Sequence, residues 1–432
     1  GINITNQKKL IETIYKGEYS LIEGESYNFK KYIMQVNNTP RTLVFDENTD
    51  LYLAEINETN FPDSSICYMV NRWMNHNHDQ YLSLSEKEEV TDIRLNYGTI
   101  TSLKGLEYFD KVISLYWNEC RLKEANLDCF PELETLEIYS NYLTSLDLFA
   151  NTKLKKLRCE DNRLTSLDIS NNSELEELYC QNNQLTSLVV SNNPELKILN
   201  CSSNNISTID ISNNLKLIDF RCGDNNLSSL DISKNVNIQK LYFAENSISE
   251  FDVSHMLSLK ELDCAKNGVS KVDVSNNRYL EILNCSGNDL SNVDVSKNPN
   301  LLSLKCANTN ISELDISKNL LLEELDCSEN KLTEVNILKL DNIRSLNCSC
   351  NEISSLEFSP NATKLKSLHC RDNKFTSLDV SRFTELTKLS CYKNKIAEID
   401  VSNTSLTTLF HYQPCLDARL NYCFDSYYSG GN

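Results

Sequence analysis

Eleven cysteines set the register of this chain. Cys159, Cys180, Cys201 and Cys222 stand 21 residues apart, and the series continues through Cys264, Cys285, Cys306, Cys327 and Cys348. Phe243 fills the one missing rung. After a single insertion the ladder resumes at Cys370 and Cys391. Leu95, Trp117 and Ile138 hold the same place upstream, and His411 holds it at the far end. The repeating unit is L-x-x-L-x-C-x-x-N-x-L-x-x-L-D-[IV]-S-x-N, as in Leu154, Leu157, Cys159, Asn162, Leu164, Leu167, Asp168, Ile169 and Ser170. A turn this short cannot bury its own leucines, so neighbouring turns must stack and bury them together.

The unit reads as a leucine-rich repeat. L-x-x-L-x-C alternates inward and outward, which specifies a short parallel strand. The expected fold is an α/β-type, β-dominated repeat solenoid: a leucine-rich-repeat horseshoe with a parallel concave sheet, 21-residue repeats and a helical N-terminal cap. About 16 turns run from Val90 to about Pro414. The L-D-[IV]-S half is too short for a helix and should be extended or 3₁₀. The Asn series from Asn141 to Asn394 ends each strand, where an inward amide can satisfy backbone groups that the turn leaves unpaired. Gly98, Cys120 and Thr309 replace it in three turns. The expected divisions are an N-terminal module over 1–53, a cap over 54–89, the solenoid over 90–414 and a closing segment over 415–432.

Seventeen cysteines is an odd count that first suggests disulfides, redox chemistry or metal. The ladder argues for packing instead. Stacked strands lie ~4.8 Å apart and a disulfide wants its Cβ atoms ~3.8 Å apart, so the ladder thiols should be reduced and buried. Cys67, Cys120, Cys129, Cys350, Cys415 and Cys423 lie off the ladder. Cys415 and Cys423 are placed to pair across the closing segment. Cys350 and His369 bring two donors to adjacent turns, fewer than a zinc site needs.

The net charge of -19 argues against a nucleic-acid partner, which would want a basic surface. An acidic column explains more than half of it: Asp147, Asp168, Asp210 and their equivalents through Asp400, with Glu357, make 11 acids at one repeat position. A calcium ladder is one reading of that column. The other is that each Asp accepts hydrogen bonds within its own D-x-S turn, and the missing glycines of calcium-binding repeats favour it. No run of about 18 apolar residues is present, so no segment reads as a membrane span. Gly1 leads into a polar stretch without the features of a secretory signal. Either the chain is not exported or its signal precedes residue 1.

Residues 1–53 do not repeat. Asn6–Lys16 suits a short helix, and the segments around Tyr27–Val36 and Arg41–Phe45 alternate like strands. Pro62 suits the start of a cap helix with Ile66, Met69, Val70 and Trp73 on its inner face. The loop that follows aligns Asn75, Asn77, Asp79, Tyr81, Ser83 and Glu86 with the six ligand positions of an EF-hand. Asn at the first position and Gln80 in place of the turn glycine weaken it, so the loop is a degenerate calcium candidate. No other cofactor is implied.

The consensus resembles that of bacterial surface leucine-rich-repeat proteins, and its cysteine ladder is similar to that of internalins. The segments 56–63, 75–86 and 102–109 resemble the start of such proteins in gut Firmicutes. The resemblance covers about residues 55–414 and implies an exported or wall-attached protein that acts in adhesion or host contact.

In such a solenoid the outward strand residues line the binding face. Tyr116, Tyr139, Arg158, Tyr179, Arg221 and Tyr242 concentrate the residue types that dominate interface energetics. A second patch holds His369, Arg371, Tyr392, Phe410 and Tyr412. Strand propensity is the competing explanation for the tyrosines. The five histidines sit in no catalytic motif. The expected function is a non-catalytic, secreted or cell-surface module, monomeric, that binds a protein or glycoprotein. The alternatives are a glycan-binding surface protein, a structural spacer and a host-directed effector.

Overall fold

A computed structural model describes residues 51–95 and 98–410, with the strand backbones between residues 19 and 45. The Asn6–Lys16 helix, Tyr412 and the Cys415–Cys423 pairing lie outside the described residues. The chain divides into two compact units, residues 1–195 and 196–432.

The first unit opens with antiparallel strands: β1 (Tyr19–Ser20), β2 (Glu25–Ser26), β3 (Phe29–Val36), β4 (Thr39–Phe45), β5 (Leu51–Glu55) and β6 (Tyr81–Ser83). The two strand-like segments of the sequence are thus β3 and β4. Helix α1 (Ser64–Met69) lies between β5 and β6, and Asp63 caps it by accepting from Ser65 N and Ile66 N. The chain then widens into a π-turn over Val70–Met74, closed by Asn75 N on Val70 O at 2.9 Å. This turn corrects one expectation. The extra residue rotates the inner face, so Met74 is buried and Trp73 is 70% exposed.

Helix α2 (Leu84–Glu89) leads into five parallel strands: β7 (Asp92–Arg94), β8 (Ser114–Tyr116), β9 (Thr135–Glu137), β10 (Lys156–Arg158) and β11 (Glu177–Tyr179). Leu136 pairs with Leu157 and Leu157 with Leu178, one repeat per strand. The second unit carries eleven more such strands, from β12 (Ile198–Asn200) to β22 (Thr408–Phe410). Their register also steps by one 21-residue repeat, except where Leu346 meets Leu368 and absorbs the insertion and where Leu389 meets Leu409 one residue short. The middle residue of nearly every strand is buried between two half-exposed ones, as the alternation requires. The returning half of each repeat is extended with tight turns, such as Asn172 N on Ile169 O, and its one helical stretch among the described residues is the 3₁₀ turn Leu106–Tyr108.

All eleven ladder cysteines are buried, and none of the fifteen described cysteines forms a disulfide. Burial pushes the Cys201, Cys285 and Cys348 thiols up to about 12, so they remain protonated and inert. Under native conditions an alkylating reagent should therefore label the half-buried Cys67, Cys129 and Cys350 before any rung. Peptide mass mapping reads this directly; rapid labelling of Cys201 or Cys285 would contradict the packing role.

The Asn series works as its position suggests. Asn162 Nδ2 donates to Ile138 O, Cys159 O and Glu160 O, and its Oδ1 accepts from Leu143 N. Where the amide is replaced, the substitute takes over part of the task. Cys120 Sγ donates to Leu95 O, and Thr309 Oγ1 donates to Cys306 O. A second buried Asn series lies on the returning side and was not expected from the sequence. Asn172 donates to Leu148 O and Asn151 O, and Asn298 donates to Val274 O and Asn277 O. Met256 interrupts that series, and the neighbouring His255 ring bonds Ile232 O at 2.9 Å in its place.

The acidic column is turn chemistry. Asp168, Asp210 and Asp294 each accept the backbone N–H two residues on, at 2.9 Å. Nine of these carboxyls, from Asp168 to Asp400, are held below the usual carboxylate range by the hydroxyl and backbone N–H of the serine two residues on, the hydroxyl leading at Asp231, Asp273 and Asp379. Asp273 falls to about 2, through Ser275 first and then Lys271. A depressed folded value means that the stabilisation is complete above the unfolded value of about 3.9 and is lost as pH falls through the folded one. The urea midpoint should therefore hold from pH 7 to about 5 and fall between about 4 and 2. A midpoint that instead rises on acidification would show the column to be governed by its mutual repulsion.

Candidate binding surface

Outward strand residues form columns, because each rung sits beside the next. In the first unit Tyr116, Glu137, Arg158 and Tyr179 make one column. Asn118, Tyr139, Glu160 and Gln181 make the column beyond the ladder position. The bonds from Glu119 N to Tyr139 O, Ser140 N to Glu160 O and Asp161 N to Gln181 O keep it in register.

Two features distinguish this face. Arg94 lies over the Tyr116 ring at 4.1 Å, and Arg158 lies between Tyr139 at 4.7 Å and Tyr179 at 5.5 Å. Arg158 also bonds Glu160, whose side chain is only 3% exposed. Burial raises the Glu160 carboxyl above its ordinary range, and Arg158 opposes that rise. The pair is only half made. Arg158 Nε, Glu160 Oε2, Asn118 Oδ1 and Gln181 Oε1 are buried without a partner among the described residues. Leaving a buried polar atom unpaired costs about 1–3 kcal/mol, so four such atoms together on one outward face call for an explanation. The sequence reading passed over Glu160. Its signal was an acid two residues beyond Arg158 on the same strand face.

In the second unit Arg221 is fully engaged. Its Nε and Nη2 bond the two Asp219 oxygens at 2.8 Å each, and it lies over Tyr242 at 4.6 Å. The Tyr242 hydroxyl bonds Glu261, which also pairs with Lys240 at 2.8 Å. The six residues chosen from the sequence thus stand in two clusters, one in each unit, rather than in one described site. Of the second patch, Arg371 approaches Tyr392 at 5.7 Å, and the His369 imidazole is held below its usual range by burial. The Phe410 side chain lies outside the described residues.

The loop at 75–86 closes on itself. Glu86 accepts from His76 N at 2.8 Å, from Ser83 N at 2.9 Å and from the Ser83 hydroxyl, which in turn accepts from Glu86 N. Asp79 accepts from Tyr81 N and Asn77 Nδ2, and Asn75 Nδ2 donates to Asp79 O. The candidate ligands are therefore engaged with their own loop. Glu86→Gln should cost roughly 2 kcal/mol of stability in chelator, read as a lowered Tm, from weakened hydrogen bonds to a charged group. Millimolar calcium should leave the wild-type Tm where it is, and a rise would restore the calcium reading. Among the described residues no group of three or more His, Cys, Asp or Glu is arranged to hold a metal. No described helix is long and apolar enough to cross a membrane.

Repeat, parallel register and Asn ladder together define a leucine-rich-repeat protein. Among solved structures the chain is similar to the functional domain of InlJ from Listeria monocytogenes, described as including a cysteine ladder. The two are 29% identical with a TM-score of 0.74, over 80% of this chain and 76% of that one. It is also similar in fold to YopM, a leucine-rich effector protein of Yersinia pestis, at 20% identity and TM-score 0.63, over 75% of this chain and 89% of that one. A third likeness is to the ectodomain of the Arabidopsis thaliana receptor kinase GASSHO1/SCHENGEN3, solved with Casparian strip integrity factor 2. It has 20% identity and TM-score 0.62, over 75% of this chain and 44% of that one. No protein-family model and no curated protein matches the sequence.

Proposed function

We propose that this chain is a non-catalytic binding module that holds a protein or glycoprotein ligand on its outward strand face. The observation that carries the reading is Arg158, held between two tyrosines beside a buried and half-paired Glu160. An oriented Arg with aromatic walls is the composition of an interface hot spot. The plant receptor ectodomain, solved with a partner, shares the fold and supports the reading. The test is a paired screen of protein and glycan libraries with the wild-type chain and a Tyr139→Ala, Tyr179→Ala double variant, which removes both aromatic walls of Arg158. Protein hits should lose on the order of 30-fold or more in affinity, the loss of a hot spot of about 2 kcal/mol. Hits confined to glycans would favour the glycan alternative, and unchanged affinity would remove the strand-face site.

The location extends the same proposal. The resemblance to bacterial surface repeat proteins supports export and adhesion, and protease treatment of intact cells should then remove the chain. Protection in intact cells would favour the effector reading, which the likeness to YopM and the fifteen unbridged thiols also suit.

A further inference from the structure

Beyond the tyrosine clusters, the strand face of the second unit changes character. Asp263, Asn284, Lys305, Asp326 and Asn347 make one in-register column. The column beside it is small throughout: Ala265, Ser286, Ala307, Ser328 and Ser349. Side chains of this size leave a trough between the taller columns, where another backbone can approach.

Charge on this trough is unbalanced. Its three lysines are already taken: Lys240 by Glu261 at 2.8 Å, Lys266 by Glu245 at 2.5 Å and Lys305 by Glu324 at 3.2 Å. Asp263 and Asp326 have no ion pair among the described residues. Asp263 accepts from Ala265 N and Asn284 Nδ2, and Asp326 accepts from Ser328 N and its hydroxyl, all neutral donors. At the far end Ser349 is only 3% exposed, and its hydroxyl has no partner among the described residues. Leaving that hydroxyl unpaired costs about 1–3 kcal/mol, and a polypeptide backbone lying in the trough would offer it an acceptor.

We propose that this trough receives an extended basic segment of a polypeptide ligand, with two Lys or Arg side chains four residues apart that pair with Asp263 and Asp326. The spacing follows from strand geometry. Three rungs at ~4.8 Å separate the two carboxylates by ~14 Å, and an extended chain rising ~3.4 Å per residue covers that in four residues. Residues i and i+4 also point to the same side of an extended chain. Residue i+2 falls between the Asn284 and Lys305 rungs and, beside that lysine, should not be basic.

The inference rests on the strand face being the ligand face, so the test separates the two. Synthetic Gly/Ala/Ser peptides with two lysines at i and i+4, at i and i+3, or at i, i+2 and i+4 are titrated by fluorescence anisotropy at low and high salt. The i, i+4 peptide should bind about tenfold more tightly than the others, the worth of ~1.4 kcal/mol. Its affinity should fall about tenfold in Asp263→Asn, Asp326→Asn and with added salt. A control that removes equal charge from the turns, Asp210→Asn with Asp231→Asn, should change little. Equal binding of all three peptides, no binding, or an equal loss in the control overturns the trough. Peptide binding lost in Tyr139→Ala, Tyr179→Ala but kept in the aspartate variant overturns the trough alone and leaves the proposed function standing.

Discussion

Asn162→Ala is expected to destabilise the protein by roughly 2–4 kcal/mol. Leu143 N loses its acceptor, at about 1–3 kcal/mol for an unmet buried group, and three carbonyls each lose one of two donors, since Asn141 Nδ2 still reaches Ile138 O, Asn183 Nδ2 still reaches Cys159 O and Ser140 N still reaches Glu160 O. The amide reaches Ile138 O at 3.0 Å, Cys159 O at 3.1 Å and Glu160 O at 3.3 Å, and Leu143 N reaches its oxygen at 3.0 Å. Water cannot replace these partners, because Asn162 is 8% exposed inside a stack of leucines. The neighbouring repeat position supplies the control. Asn171 makes one long bond, 3.5 Å to Phe149 O, at the surface, and Asn171→Ala should cost less than about 1 kcal/mol. Urea unfolding of the pair decides the matter. Equal losses would mean that the ladder contributes side-chain packing and no backbone satisfaction.

Phe243→Cys should be nearly as damaging, although it restores the ladder. The consensus argues that cysteine belongs at this rung, between Cys222 and Cys264. The packing argues otherwise. The Phe243 ring is fully buried and meets the Phe251 ring edge-on, with centroids 5.0 Å apart. Phe251 stands where most repeats carry leucine, so the two rings fill that rung together. Removing most of one ring leaves a cavity, at about 2–4 kcal/mol. Phe243→Cys with Phe251→Leu should be no better than the single change, because the volume still has no owner. A single variant as stable as wild type would show that this rung closes around the smaller residue.

The period, the parallel strands, the cysteine packing and the first Asn series were legible because each recurs. One misread copy cannot hide a pattern that a dozen others repeat. The second Asn series was visible as letters and still missed. S-x-N is ordinary turn composition, and only the stacked geometry shows Asn172 reaching back to the carbonyls of the previous turn. Trp73 was misassigned because a 3.6-residue period was carried through a turn that widens. Candidate site residues were the least legible. Outward positions follow from alternation, so Tyr139, Arg158 and Tyr179 were named correctly as outward, but their partners come from other rungs. Lys156 with Glu137, 19 residues away, and Lys240 with Glu261, 21 residues away, are pairs that no local pattern announces.

The unbridged thiols carry a consequence for the life of the molecule after it unfolds. Folded, the rungs are held apart by the sheet spacing and hidden from oxidants. Once the stack opens, more than a dozen cysteines become mobile together, and the number of ways to cross-link them wrongly is very large. In an oxidising solvent the first excursion is then also the last, because mismatched bridges bar refolding. Persistence of this protein outside a reducing cell would be set by how seldom it opens rather than by how favourably it closes.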